Sequence, residues 1–166
     1  DNDSSQAARE ARAQSACKEA LKRDTIGTEG TEIPEGPEIF VASQMLQSIV
    51  DVPITDVRIG QTSRYAEKPP KGYDRFKGLP KGLPRFSVSC VNTHGKFMYW
   101  GFHDRMGNYD VTLLVTHGMS GRWVICEDHA SAAALKHLVV VFDLSDGRSV
   151  AFVDPRHFGT IVFGTL

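Results

Sequence analysis

The feature that most constrains the fold of this chain is a series of short segments with alternating apolar and polar residues, which dominates the sequence after Pro53. A period of two places successive side chains on opposite faces of a β-strand, and turns rich in Gly, Asn and Asp separate the segments. One of these turns, Ser145-Asp146-Gly147, contains the Asp-Gly pair typical of a β-hairpin. The predicted strands are residues 54–60, 86–91, 97–102, 109–116, 122–126, 138–143, 149–153 and 159–163.

A single helix is predicted ahead of these strands, beginning at Pro37-Glu38 and ending before Val52-Pro53. Proline is favoured in the first turn of a helix, and apolar residues recur there with a period of 3.6. The apolar face consists of Ile39, Ala42, Met45, Leu46, Ile49 and Val50. The sequence therefore predicts an α+β fold, a two-layer antiparallel β-sandwich of about seven to eight strands with a flanking N-terminal helix.

The first 32 residues differ from the rest, because alanine supplies most of their few apolar side chains. We expect a helical or disordered tail at 1–32, followed by one domain over residues 33–164. A transit peptide is the alternative for the tail, and the acidic residues Glu10, Glu19 and Asp24 argue against it.

Composition restricts the cellular setting. There is no apolar run long enough to span a bilayer, so we expect no membrane association. The three cysteines, Cys17, Cys90 and Cys126, are odd in number and form no CxxC pair, which favours a reducing intracellular compartment and predicts no metal site on this chain.

The formal net charge is only −1, but positive charge is concentrated between residues 64 and 85. We predict an exposed basic loop there, with DNA-backbone binding and an ordinary solvated loop as open alternatives. Its seven basic residues are Arg64, Lys68, Lys71, Arg75, Lys77, Lys81 and Arg85.

Four short segments are individually ordinary. A helix start such as Pro34-Glu35-Gly36-Pro37-Glu38 needs no function, and a lysine in His94-Gly95-Lys96 is usually a solvated charge. The methionine of Gly118-Met119-Ser120-Gly121 would ordinarily fill a gap, and the arginine of Asp154-Pro155-Arg156-His157-Phe158-Gly159 would be a surface charge.

In this order and spacing, however, the four segments resemble the formamidopyrimidine-DNA glycosylase and endonuclease VIII family over about residues 33–164. The resemblance is strongest to its eukaryotic endonuclease VIII-like branch. It implies the N-terminal catalytic domain of a base-excision repair enzyme that removes oxidised bases and cleaves the abasic strand. In the family a helix-two-turn-helix domain and usually a zinc finger follow, so we expect zinc only in such a C-terminal part and no cofactor on this chain.

The resemblance also implies catalytic roles. Pro34 matches the proline whose amine attacks C1′ of the damaged nucleotide and forms a Schiff base, and Glu35 matches the acid that transfers protons beside it. Lys96 matches a lysine that contacts phosphate and assists base removal, and Glu38 would support the helix start around the nucleophile.

DNA contacts are implied for the last two segments. Met119, Arg156 and Phe158 match side chains that fill the space left by a flipped-out nucleotide, and His157 stands where an arginine is common. The expected partner is damaged double-stranded or single-stranded DNA, bound by a monomer. A nuclear location is expected if the source is eukaryotic, with an organelle as the alternative.

One departure concerns the nucleophile. Pro34 follows Ile33 in this sequence, and a proline nitrogen within an amide cannot form a Schiff base. Three explanations are open: residues 1–33 are removed, they are a mis-assigned upstream extension, or the protein is catalytically altered. We favour the mis-assigned extension. The competing hypotheses are a non-catalytic DNA-lesion-binding domain and a β-sandwich whose motifs match by chance.

Overall fold

Two four-stranded antiparallel sheets form the protein in the computed structural model, which describes residues 36–95, 97–107 and 111–165. The predicted α+β sandwich with an N-terminal helix is confirmed, and each predicted strand overlaps an observed one. The strands are β1 (Ile54–Ile59), β2 (Ser87–His94), β3 (Phe97–His103), β4 (Val111–Thr116), β5 (Arg122–Cys126), β6 (Leu138–Leu144), β7 (Ser149–Val153) and β8 (Thr160–Thr165).

Helix α1 (Gly36–Leu46) packs against β2 and β3 and continues into a 3-10 turn at Gln47–Ile49. The prediction that Met45 belongs to the buried face is wrong, since this side chain is 40% exposed. The buried stripe instead follows Ile39, Ser43 and Leu46, spaced four and three residues apart as one face of a helix requires. Ser43 is tolerated inside because its hydroxyl donates to the carbonyl of Phe40 at 2.6 Å.

The basic segment 64–85 is not the exposed loop that its composition predicts. It contains two short helices, α2 (Tyr73–Phe76) and α3 (Leu79–Gly82), and Phe76 is fully buried. The ring centroid of Phe76 lies 4.5 Å from that of Phe163 and 4.9 Å from that of Phe102. The segment is therefore held on the sandwich by an aromatic core residue, with its charged side chains outside.

The order of strands is β1-β6-β7-β5 in one sheet and β2-β3-β4-β8 in the other. The chain therefore crosses from one sheet to the other three times, after β1, after β4 and after β7. In the register, Thr116 pairs with Thr160, and Arg122 pairs with Val153. The crossings after β4 and after β7 consequently lie at the same end of the sandwich, side by side.

A short helix, α4 (His129–Ala133), covers the outer face of the β1-β6-β7-β5 sheet, which we call the first sheet. The Asp128 side chain caps this helix by accepting from the Ser131 backbone N–H at 2.6 Å. None of the helices within the described ranges is long and apolar enough to cross a membrane.

Candidate nucleic-acid interface

Two crossing loops, residues 117–121 and 154–159, form a single projecting feature that we call the corner. In the first loop, Gly118 has φ +60°, a conformation that glycine adopts at little cost, and the Gly121 N–H donates to the His117 carbonyl at 2.8 Å. This tight turn places Met119 at its tip, with 72% of the residue exposed.

The second loop also contains a left-handed residue. His157 has φ +59°, and its N–H donates to the Asp154 carbonyl at 3.3 Å. The residues on either side of it, Arg156 and Phe158, are exposed, and Phe158 retains 63% exposure. Single exposed apolar side chains are common on protein surfaces, but two of them on adjoining loops form a patch of the kind that marks a binding surface.

The two loops are in direct contact. A Cβ atom added to Gly118 would lie 2.9 Å from the backbone nitrogen of Gly159 and 2.9 Å from the carbonyl carbon of Phe158. Only glycine therefore permits this approach, which brings the backbones that present Met119 and Phe158 against each other.

A buried carboxylate joins the loops. Asp154 is 1% exposed, and its Oδ1 accepts from the Ser120 hydroxyl at 2.5 Å while its Oδ2 accepts from the Gly159 N–H at 2.7 Å. The Ser120 oxygen in turn accepts from the Arg156 N–H at 3.1 Å. Asp154 and Ser120 thus link residues on both loops through side-chain hydrogen bonds.

An aromatic layer supports the corner from below. Trp123 Nε1 donates to Nε2 of His117 at 3.1 Å, so this ring nitrogen of the buried histidine acts as an acceptor. The ring of His117 meets that of Phe152 edge-on at 5.6 Å, and Trp123 lies 5.0 Å from Phe152. The loops therefore rest on packed rings.

Positive charge borders the corner. Arg64 NH1 donates to the His157 carbonyl at 3.3 Å, and the guanidinium lies 5.1 Å from the ring centroid of Tyr65. Tyr65 is fixed in turn, because its hydroxyl accepts from the Ile161 N–H at 3.2 Å. The start of the basic segment is therefore attached to the corner, and Arg122 and Arg156 are exposed nearby along the chain.

Four of the predicted site residues, Met119, Arg156, His157 and Phe158, are brought together at this corner, although their roles in DNA binding stay predictions. Glu38 lies in the first turn of α1 and is exposed.

The other predicted residues, Pro34, Glu35 and Lys96, lie outside the described residues. In the sequence Lys96 comes between β2, which ends at His94, and β3, which begins at Phe97, and these two residues pair with each other. No group of three or more His, Cys, Asp or Glu side chains that could hold a metal ion occurs in the described part of the chain.

Sequence reasoning missed the contribution of Asp154 and Ser120, although both lie within the motifs that it identified. The available signal was an acidic residue directly after the apolar strand Ser149–Val153. Aspartate is almost never fully buried, so this position alone does not predict burial, although a carboxylate that is buried there requires hydrogen-bond partners.

Comparisons with known proteins agree with this architecture. The family model described as formamidopyrimidine-DNA glycosylase N-terminal domain matches residues 33–161. Formamidopyrimidine-DNA glycosylase of Rickettsia africae (strain ESF-5) is 44% identical over 131 residues, covering 78% of this chain and 42% of the relative. The same-named protein of Shouchella clausii (strain KSM-K16) is 30% identical over 131 residues, with the same coverage.

Solved structures share the fold. LlFpg in complex with a THF-DNA and an inhibitor aligns with 80% of this chain and 44% of its own, with a TM-score of 0.62 and 21% identity. Lactococcus lactis formamidopyrimidine DNA glycosylase bound non-covalently to DNA containing an AP site aligns with 78% and 44%, with a TM-score of 0.59 and 20% identity.

The chain spans about two fifths of the length of the curated relatives it matches. These relatives are bacterial, and the predicted proximity to the eukaryotic endonuclease VIII-like branch stays a prediction. The family model, which matches more than three quarters of the chain, together with the confirmed two-sheet fold, shows that this chain belongs to the formamidopyrimidine-DNA glycosylase N-terminal domain family.

Proposed function

We propose that this chain is the N-terminal part of a DNA-repair glycosylase with AP lyase activity, which removes oxidised bases and inserts its corner into damaged DNA. The observation that supports this most directly is the joint exposure of Met119 and Phe158 beside Arg156 on two linked loops. Relatives named formamidopyrimidine-DNA glycosylase, and similar folds solved with AP-site or THF-containing DNA, support the same function.

The corner suits the physical requirements of base extrusion. Removing a nucleotide from the stack costs a few kcal/mol, and apolar side chains inserted into the gap recover part of this free energy. Met119 and Phe158 expose the apolar surface needed for insertion, and the Arg156 guanidinium can donate hydrogen bonds to the unpaired opposite base. A rigid support is needed because a loop that must first be ordered loses binding free energy.

For the chemistry, the family resemblance assigns Pro34 as nucleophile. Its amine would form a bond to C1′ as the glycosidic bond breaks, Glu35 would transfer protons, and Lys96 would contact a neighbouring phosphate. Glu38, exposed in the first turn of α1, would support the nucleophile's surroundings. This assignment requires a free amine at Pro34.

We also propose the chain organisation that follows. Residues 1–32 are a tail and residues 33–164 are the catalytic N-terminal domain, acting as a monomer on damaged double-stranded or single-stranded DNA. The expected location is intracellular, in the nucleus if the source is eukaryotic, with an organelle as the alternative.

The test of the lyase is borohydride trapping on DNA with an abasic site, using the full-length natural protein trimmed to begin at Pro34. We expect a covalent adduct with this form, and no adduct with a matched form that keeps Ile33 and thereby leaves the Pro34 nitrogen in an amide. The absence of an adduct with the trimmed protein would remove the lyase assignment.

A second candidate function is a non-catalytic lesion-binding domain, which is favoured by the position of Pro34 after Ile33. It predicts salt-sensitive, lesion-preferring binding without strand cleavage. In both candidates the double substitution Met119→Ala with Arg156→Ala should abolish the preference for damaged over undamaged DNA. If this variant keeps the preference of the wild type, the corner is not the lesion-recognising surface.

A further inference from the structure

We propose that Asp154 is a positioning residue that makes the two corner loops act as one rigid wedge. This inference rests on the proposed function of the corner, and it concerns a buried carboxylate to which that function assigns no contact with DNA.

Each exposed residue of the corner either takes part in the hydrogen bonds of Asp154 and Ser120 or is the chain neighbour of a residue that does. Met119 precedes Ser120, whose hydroxyl donates to Asp154 Oδ1 at 2.5 Å. The N–H of Arg156 donates to that same hydroxyl oxygen at 3.1 Å. Phe158 precedes Gly159, whose N–H donates to Asp154 Oδ2 at 2.7 Å.

The carboxylate is also anchored to the body of the protein. The N–H of Asp154 donates to the His137 carbonyl at 3.0 Å, and Asp154 directly follows the last residue of β7. The link between the loops is therefore fixed to the first sheet. In an unliganded protein this arrangement holds Met119 and Phe158 in one relative position before DNA is met.

Burying a carboxylate is costly, and the residue is 1% exposed. Within the described ranges no Lys, Arg or His forms an ion pair with it, and the hydrogen bonds come from a hydroxyl and a backbone N–H. Such charge-assisted bonds are shorter and stronger than those of neutral acceptors. A site that needs two acceptors pointing at two loops is well served by a carboxylate, whose two oxygens both accept.

The buried Asp143 provides a matched control. It is 6% exposed, accepts from Arg58 NH2 at 3.0 Å and from the Ser149 hydroxyl at 2.7 Å, and lies within strand β6. Its loss should weaken folding without disturbing the corner. Asp154 and Asp143 therefore separate the positioning of the loops from stability in general.

The experiment compares Asp154→Ala, Asp154→Asn, Ser120→Ala and Asp143→Asn in the natural full-length protein. For each, the dissociation constants for a duplex with a tetrahydrofuran abasic-site analogue and for the undamaged duplex are measured at one salt concentration. The lesion preference is the dissociation constant for undamaged DNA divided by that for the lesion duplex. We expect Asp154→Ala and Ser120→Ala to lower this preference about tenfold, as the loss of roughly one strong hydrogen bond would. The constant for undamaged DNA should change less than about twofold.

The conservative variant adds a second criterion. The asparagine oxygen of Asp154→Asn can accept from Gly159, and its amide can donate to the Ser120 oxygen, so this variant should recover part of the preference. A 2-aminopurine base placed opposite the lesion reports insertion directly. The change in its fluorescence on protein binding should decrease across the variants in the same order as their lesion preference. Asp143→Asn should keep both the preference and the fluorescence response of the wild type.

The outcomes separate the two proposals. If Met119→Ala with Arg156→Ala, measured alongside these variants, leaves the lesion preference unchanged, the proposed function of the corner fails. If that double variant loses the preference while Asp154→Ala and Ser120→Ala keep it, the corner functions without this link and the inference fails. A loss of preference in Asp143→Asn equal to that in Asp154→Ala would also overturn it, since both would then act through stability. If Asp154→Ala does not fold, Ser120→Ala removes the same link and decides the result.

Discussion

The turns that precede and follow strand β7 differ in polarity. At its start, the hairpin 145–148 joins it to β6. Gly147 has φ +95°, and a Cβ added to it would meet no atom within 4 Å. Arg148 NH2 pairs with Asp146 Oδ2 at 2.8 Å. Every residue from Ser145 to Gly147 is exposed. Polar groups face water here, as loops on a protein surface normally do.

At the other end of β7 the polarity is inverted. The carboxylate of Asp154 is buried, whereas the apolar side chains of Met119 and Phe158 are exposed. A fold needs no such arrangement to reverse chain direction, because the hairpin achieves this with two polar residues and a glycine. The hairpin thus needs only polar surface groups to serve the fold, whereas the exposed apolar side chains of the corner fit the insertion into DNA that we propose for it.

Among variants that test the contrast between the two ends of β7, we expect Phe152→Ala to have the largest effect on stability. Phe152 is fully buried, and a Cβ on Gly121 or on Gly159 would lie 2.5 Å or 3.2 Å from its Cζ, so the corner rests on this ring. We expect the free energy of unfolding in urea to fall by about 3–5 kcal/mol, together with a loss of lesion preference. Val150→Ala, nearer the hairpin in the same strand, should lower stability and keep the preference.

A glycine in each turn gives the next largest effect. Gly118→Ala places a Cβ at φ +60° and 2.9 Å from backbone atoms of the other loop, whereas Gly147→Ala meets only the unfavourable φ. We expect a loss of about 2–4 kcal/mol for the first and about 1–2 kcal/mol for the second, from urea denaturation. Equal losses would show that the loops can separate without cost, contrary to the proposed rigid wedge.

The elements around β7 could be predicted because their signals are local. Alternation gives strands 122–126 and 149–153 with the observed bounds, and the Asp-Gly pair gives the hairpin between β6 and β7. The burial of Phe76 could not be predicted, because it depends on aromatic partners in β3 and β8. For the same reason the rotation of α1 that buries Ser43 and exposes Met45 is set by packing on the sheet rather than by its own periodicity.

In the corner, too, some features could be predicted from the sequence and others could not. Met119, Arg156 and Phe158 were identified through motif order, since residue type alone favours a gap-filling methionine and a surface arginine. Ser120 and Asp154, however, are 34 residues apart, and their hydrogen bond exists only because the crossings after β4 and after β7 lie at one end of the sandwich. Motif order therefore predicts which side chains meet DNA, and this role stays a prediction, whereas the contacts that hold them could not be predicted.

Two arginines extend the comparison to DNA binding. Arg64 is bonded to the His157 carbonyl at the corner, whereas Arg148 is paired with Asp146 at the hairpin. We expect Arg64→Gln to reduce the slope of log affinity against log salt by about 0.9, the value for one lost phosphate contact, measured from about 50 to about 200 mM salt. Arg148→Gln should leave the slope unchanged. A change of equal size in both variants would mean that DNA binds without preference for the corner.

The smallest expected effect concerns the hairpin alone. The pKa of Asp146 lies below its ordinary value of 3.8, mainly because the Arg148 side chain donates a hydrogen bond to its carboxylate. A lowered pKa in the folded state means that ionised Asp146 stabilises the fold above pH 3.8 and that this contribution disappears as the pH falls through the lowered value. Because the Asp146 side chain is 39% exposed, solvent screening limits the contribution to about 0.2–1 kcal/mol.

Asp146→Asn preserves the turn, since Asn-Gly is also favoured in hairpins. The difference in unfolding free energy between wild type and this variant should therefore be present at about pH 7 and be lost as the pH falls through the lowered pKa of Asp146. The variant should also keep the lesion preference, because the surface charges of the hairpin play no part in the wedge. A lost preference in Asp146→Asn would show that the two ends of β7 are not independent.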